Sequence, residues 1–180
     1  MHKIEPIEID LEGVAYFGIQ CPLLKGYNVA HFINKFFEIN LAKTIDFESY
    51  ATGKRIIYPS YACASEAEYC TYYLIENKKT KKTDTLFPSY LGVDFWFLAQ
   101  FKNGLHDHRF LALKEKLHND LPLVEGVFSV LQAEPENFTK DSDKKKYNDF
   151  KIDFSEYRDK LIRERKQEEP RNRRQDKRLR

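Results

Sequence analysis

The chain holds 180 residues, 42% hydrophobic and 14% aromatic, a composition that excludes a disordered polymer and suffices for one domain with a sizeable core. Net charge is +2, but residues 160–180 hold ten Lys or Arg against four Asp or Glu, which leaves residues 1–159 at −4. No stretch approaches the roughly 20 apolar residues of a membrane helix, so no membrane partner is expected.

The opening Met1-His2-Lys3-Ile4-Glu5-Pro6 carries acids and a proline where a secretory leader needs an apolar run. Three cysteines, Cys21, Cys63 and Cys70, are an odd and sparse set suited to reduced thiols. Both features lead us to expect a cytoplasmic protein.

Residues 14–20 read as a strand that stops before Cys21-Pro22, because proline cannot donate to a ladder. Asn28 is a candidate N-cap for a helix running to about Leu41, with Val29, Phe32, Ile33, Phe36 and Phe37 at helical spacing. Strands are expected at 45–50, at 55–63 with Pro59 marking an edge or a bulge, and at 68–76. The last two form a hairpin across Ala64–Ala67. A polar loop, Asn77–Asp84, carries four lysines.

Residues 93–101 read as the central strand. One face presents Val93, Phe95, Phe97, Ala99 and Phe101, and the other presents Asp94, Trp96, Leu98 and Gln100. Apolar side chains on both faces place it inside a sheet. A second helix is expected over 106–118, with Phe110, Leu113 and Leu117 on one stripe and Leu111 broadening it. Asp120-Leu121-Pro122 breaks that helix, and 124–131 gives a last strand.

These elements predict an α+β domain over residues 1–134. Its antiparallel or mixed sheet has five to six strands and two helices on one face, open to a ferredoxin-like split βαβ reading. Residues 135–180 read as a charged extension with a helix at 154–167 and a disordered basic tail beyond Pro170.

One stretch resembles a family signature. In Phe87-Pro88-Ser89-Tyr90-Leu91-Gly92-Val93-Asp94-Phe95, the positions Pro88, Val93 and Asp94 match the motif of the IPExxxVDY family, small cytoplasmic proteins of Bacteroidota. Phe87 replaces an isoleucine, Phe95 keeps the ring of a tyrosine without its hydroxyl, and Ser89 stands where the motif has a glutamate. The resemblance covers roughly residues 10–134 and implies fold and compartment; it carries no reaction. In physical terms Pro88 fixes φ and holds Phe87 out of helix, so the chain enters the strand from a rigid turn. Asp94 can pin that turn by accepting from loop amides or pairing with a lysine.

Little else in the chain points to chemistry. His106 and His108 are spaced to meet one metal on a strand but not on a helix, and with His118 they lack a fourth ligand. Asp107 reads as a helix cap between them, and no metal or cofactor is expected. Cys63 and Cys70 would face each other if the hairpin turned on Glu66-Ala67; they read as packed thiols. No nucleophile elbow, phosphate-cradling glycine loop or zinc-protease helix motif is present.

The basic tail, through Arg171, Arg173, Arg174, Lys177, Arg178 and Arg180, is a candidate nucleic-acid contact, since guanidinium forks fit phosphates. The leading expectation is a non-enzymatic protein-interaction module with an unidentified protein partner. The alternatives are an RNA- or ribosome-associated protein using the tail, and an enzyme or small-ligand binder.

Overall fold

The computed structural model describes residues 13–44, 46–49, 56–65, 68–77, 85–87, 90, 92–101 and 108–133. The expected helix at 154–167, the basic tail, Pro88, Ser89, His106 and Asp107 lie outside the described residues. The elements in chain order are β1 (Val14–Gln20), α1 (Gly26–Phe37), β2 (Ala42–Lys43), β3 (Phe47–Ser49), β4 (Ile56–Tyr58), β5 (Ser60–Ser65), β6 (Cys70–Glu76), β7 (Phe95–Phe101), α2 (His108–Asp120) and β8 (Ser129–Ala133). Six strands form one sheet in the order β2-β5-β6-β7-β1-β8, antiparallel throughout, and β3 pairs with β4 in a second, two-stranded sheet. The architecture is α+β.

The central strand is where its composition puts it, between β1 and β6, and all seven of its residues are buried. Strand alternation sends Phe95, Phe97, Ala99 and Phe101 to one face. There they meet Ala15, Phe17 and Ile19 of β1, Val29, Ala30 and Ile33 of α1, and Phe110 and Leu117 of α2. Both helices therefore cover this face. Trp96 and Leu98 point the other way, onto Tyr16, Tyr73, Ile75, Tyr58 and Ile56. That second face is roofed by the β3–β4 pair and by Leu86, Phe87 and Val93.

Several boundaries differ from the expectations, each for a local reason. The first helix begins at Gly26, its N-cap position is Lys25 with no side-chain cap, and Asn28 lies inside it. It ends at Phe37 rather than Leu41, because Glu38 adopts a left-handed φ of 55°. Asn34 then fastens the chain that returns: its Nδ2 donates to the Leu41 carbonyl at 3.0 Å, and its Oδ1 accepts from the Leu41 amide at 2.7 Å. Phe36 is exposed, as is Leu111 on α2, so neither belongs to the buried stripe.

Pro59 lies between two strands rather than within one, directly after β4, an edge strand of the small sheet. It splits the expected 55–63 strand, and the chain leaves the small sheet at Tyr58 and joins the large one at Ser60. The two-residue β2 was not foreseen in the sequence. The last strand starts at Ser129, not 124, because Leu121–Leu123 form a short 3-10 helix and Gly126 turns with φ at 81°. The second helix, described over His108–Asp120, runs two residues past its expected end, and its expected start at 106 lies outside the described residues. Val93 precedes β7 and packs with Trp96, not with Phe95, since the chain bends at Asp94 before the alternation begins.

Candidate functional site

The segment that carries the family-like residues is fastened on the face away from the helices, largely by one side chain. Asn77 follows β6 and is fully buried. Its amide nitrogen donates to the Val93 carbonyl at 2.8 Å and to the Tyr90 carbonyl at 3.4 Å, and its Oδ1 accepts from the Phe87 amide at 3.3 Å. Its own main chain adds two bonds, to the Asp94 carbonyl and from the Leu86 amide. Buried backbone groups must find partners, and here a single amide supplies three of them. Two successive turns close inside the segment, Tyr90 N–H to the Phe87 carbonyl and Val93 N–H to the Tyr90 carbonyl, each at 3.0 Å.

Rings complete the fastening. Phe87 and Tyr90 both meet Trp96 edge-on, at centroid separations of 5.0 and 5.3 Å. Val93 fills the space above Gly18 of β1, where an added Cβ would come within 2.7 Å of a Val93 methyl. Gly18 is therefore set by this close approach.

Asp94 works toward the end of the sheet. Its Oδ2 accepts from the Cys21 amide at 2.9 Å, and its own amide donates to the Ile19 carbonyl at 2.8 Å. A carboxylate on a main-chain N–H makes a charge-assisted bond. It holds residues 21–25, the connection from β1 to α1, in place. Among the motif positions, Phe87 and Val93 are buried in the roof of the second face, Asp94 is half-buried at the strand entrance, and Phe95 is buried on the helical face. The motif therefore does not converge on one point. It spans the sheet and ties both faces to one end.

That end carries the most exposed apolar side chains described. Leu23 is 94% exposed, Phe128 83% and Leu123 68%. The two loops that present them run side by side. The Phe128 amide donates to the Gln20 carbonyl at 2.8 Å, Ser129 Oγ bonds Gln20 Oε1, and Leu24 lies against Gly126. Leu23 and Phe128 thus stand exposed on neighbouring loops. Sequence reasoning missed both this group and Asn77. The available signal was a short amide at a strand's end, where such side chains bond nearby backbone.

The thiols of Cys21, Cys63 and Cys70 and the phenols of Tyr61 and Tyr72 lie on the helical face. Cys63 sits opposite Tyr72, and Cys70 sits opposite Ser65, so the two thiols are diagonal rather than facing neighbours. All three cysteines are buried. Burial pushes the Cys70 thiol far up, and the Tyr72 phenol likewise; Tyr72 donates to Glu68 at 2.6 Å. Such a thiol is a packed hydrophobe rather than a nucleophile. Burial first, and then the Glu76 charge, raises the Tyr61 phenol. His108 and His118 are exposed on α2, and among the described residues no three His, Cys, Asp or Glu side chains converge as a metal site. The candidate nucleic-acid residues Arg171, Arg173, Arg174, Lys177, Arg178 and Arg180 fall outside the described residues. None of the described helices is long and apolar enough to cross a membrane. No family model, curated protein or solved structure matches the chain.

Proposed function

We propose that the chain is a non-enzymatic protein-interaction module that docks a protein partner on the end surface of Leu23, Leu123 and Phe128. The observation that carries this reading is their exposure beside a rigid fastening: Asp94 fixes the Cys21 amide, and so presents Leu23 on an ordered loop. A preformed apolar surface loses little conformational entropy on binding. We also propose membership of the IPExxxVDY family, supported by Pro88, Val93 and Asp94, and with it a cytoplasmic location, in keeping with an odd and sparse set of three cysteines. A ferredoxin-like core is our reading of the strand order. It is supported by β1 lying antiparallel between β7 and β8, which α2 connects, and by β7 lying antiparallel between β1 and β6.

The test compares affinity capture by the wild-type chain and by Leu23→Asp and Phe128→Asp variants. The reading expects a partner retained by the wild type and lost from both variants. Equal recovery by all three chains, or nothing above background, contradicts it.

The charge run at 160–180 favours a second reading, contact with RNA or a ribonucleoprotein through the tail. On that reading RNA binding weakens steeply with salt and disappears when 160–180 are deleted. Binding that ignores salt or survives the deletion contradicts it.

A further inference from the structure

The connection that carries Leu23 has two ends. One is the Cys21 amide, which Asp94 holds. The other is Gly26, the first residue of α1. A helix start leaves amides that the helix itself cannot pair, and a side chain at the N-cap ordinarily meets one of them. The N-cap position of α1 is Lys25, which makes no side-chain cap, and the first turn holds no acid.

Glu76 stands at that start. It is the last residue of β6, half-buried, and the sheet fixes its place: its amide donates to the Pro59 carbonyl at 3.0 Å, and it sits opposite Phe95 of β7. Its carboxylate lies so close to Gly26 that a Cβ added there would overlap Oε1, and would come within 3.1 Å of the Tyr61 hydroxyl. Burial raises the Glu76 carboxyl above its ordinary value; Lys43 and the Gly26 amide act to lower it, and Asp46 to raise it. A negative charge beside the first amides of a helix is favourable. Asp94 immediately precedes Phe95, the β7 partner of Glu76, so the two carboxylates leave neighbouring strands at the same end of the sheet. One reaches the first residue of the connection, and the other reaches the residue that follows its last.

We infer that Glu76 is a positioning residue for the end surface. From β6 it holds the α1 end of residues 21–25, as Asp94 holds the β1 end, and Leu23 stands between two fixed points. The inference rests on the docking reading proposed above and supplies the second anchor of the loop that presents Leu23.

Nuclear relaxation of the backbone amides tests it in the full chain and two variants. In the wild type Leu23 and Leu24 are expected near the order parameter of rigid backbone, about 0.85, and in Glu76→Ala they are expected to fall toward about 0.6. Val29, Ala30 and Ile33 keep their order in both. Glu76→Gln loses the charge but retains an accepting oxygen, and is expected to hold most of the order. Leu23 and Leu24 equally ordered with and without the carboxylate overturn the inference. So does disorder that spreads through all of α1, and so does a Gln variant as loose as the Ala variant. The docking reading fails separately. A captured partner, with loop order unmoved by Glu76→Ala, sinks this inference and spares that reading; a loop loosened by Glu76→Ala, with no partner captured, supports the anchoring and sinks the docking.

Discussion

The two faces of the large sheet are closed by different means. The helical face is covered by amphipathic elements whose apolar residues repeat locally: Val29, Ala30 and Ile33 on one helix, Phe110 and Leu117 on the other. The opposite face is covered partly by the β3–β4 pair and partly by irregular chain, the latter held by a buried amide and by rings meeting edge-on. A regular cover satisfies its own backbone, whereas an irregular one needs side chains to do so. The first kind of cover depends on volume and the second on specific atoms, and each can be broken separately.

The largest effects compare adjacent residues of β7. Phe97→Ala empties the helical face and Trp96→Ala empties the other, and each is expected to cost about 3–5 kcal/mol in urea unfolding. A Trp96→Ala cost far below that of Phe97→Ala would mean that the irregular cover is loosely applied. Next comes Asn77→Ala, which strands the Phe87 amide and the Val93 carbonyl; we expect a loss of about 3 kcal/mol, at 1–3 per buried group left without its bond. A loss below a tenth of that would remove Asn77 from its place in the account. Gly18→Ala pushes a methyl into Val93, and overpacking of this kind costs about 1–3 kcal/mol.

Alkaline pH sharpens the comparison from the helical side, where Cys70, Tyr72 and Tyr61 all lie. Their folded-state values are raised, chiefly by burial, so the unfolded chain releases these protons first. Stability is then fully present below the ordinary thiol value of 9.0 and declines as pH rises past it, with the phenols adding their share above 10.0. Thermal unfolding followed from neutral to alkaline pH should show this decline, and Cys70→Ala should delay its onset. An unchanged melting temperature through that range would contradict the burial of these groups. The smallest effect belongs to the end surface: Phe128→Asp should alter stability by less than about 0.5 kcal/mol, as expected of an exposed site.

The same contrast explains what the sequence discloses. The helices and the central strand are legible because Val29, Ile33, Phe95 and Phe97 fall at the periods their elements impose. The irregular cover is not, because its bonds join Asn77 to residues 10 to 16 positions away, and Asp94 to Cys21 across 73. No local period records such pairings. Pro59 is visible as an interruption, but whether it ends a strand or hands the chain from one sheet to another depends on where Phe47 and Tyr58 meet. Asp94 is readable as an acceptor for loop amides, although nothing near it in the chain names the amide. The end surface forms only when residues 20–24 and 124–128 come side by side, so its leucines and phenylalanine look like ordinary loop residues until then.

Amide hydrogen exchange in the Asn77→Ala variant tests the division between the two faces most directly. The account predicts that Leu86, Phe87, Tyr90 and Val93 lose protection while Val29, Ala30 and Ile33 of the first helix keep theirs. Protection lost equally from both groups, or from neither, would contradict it.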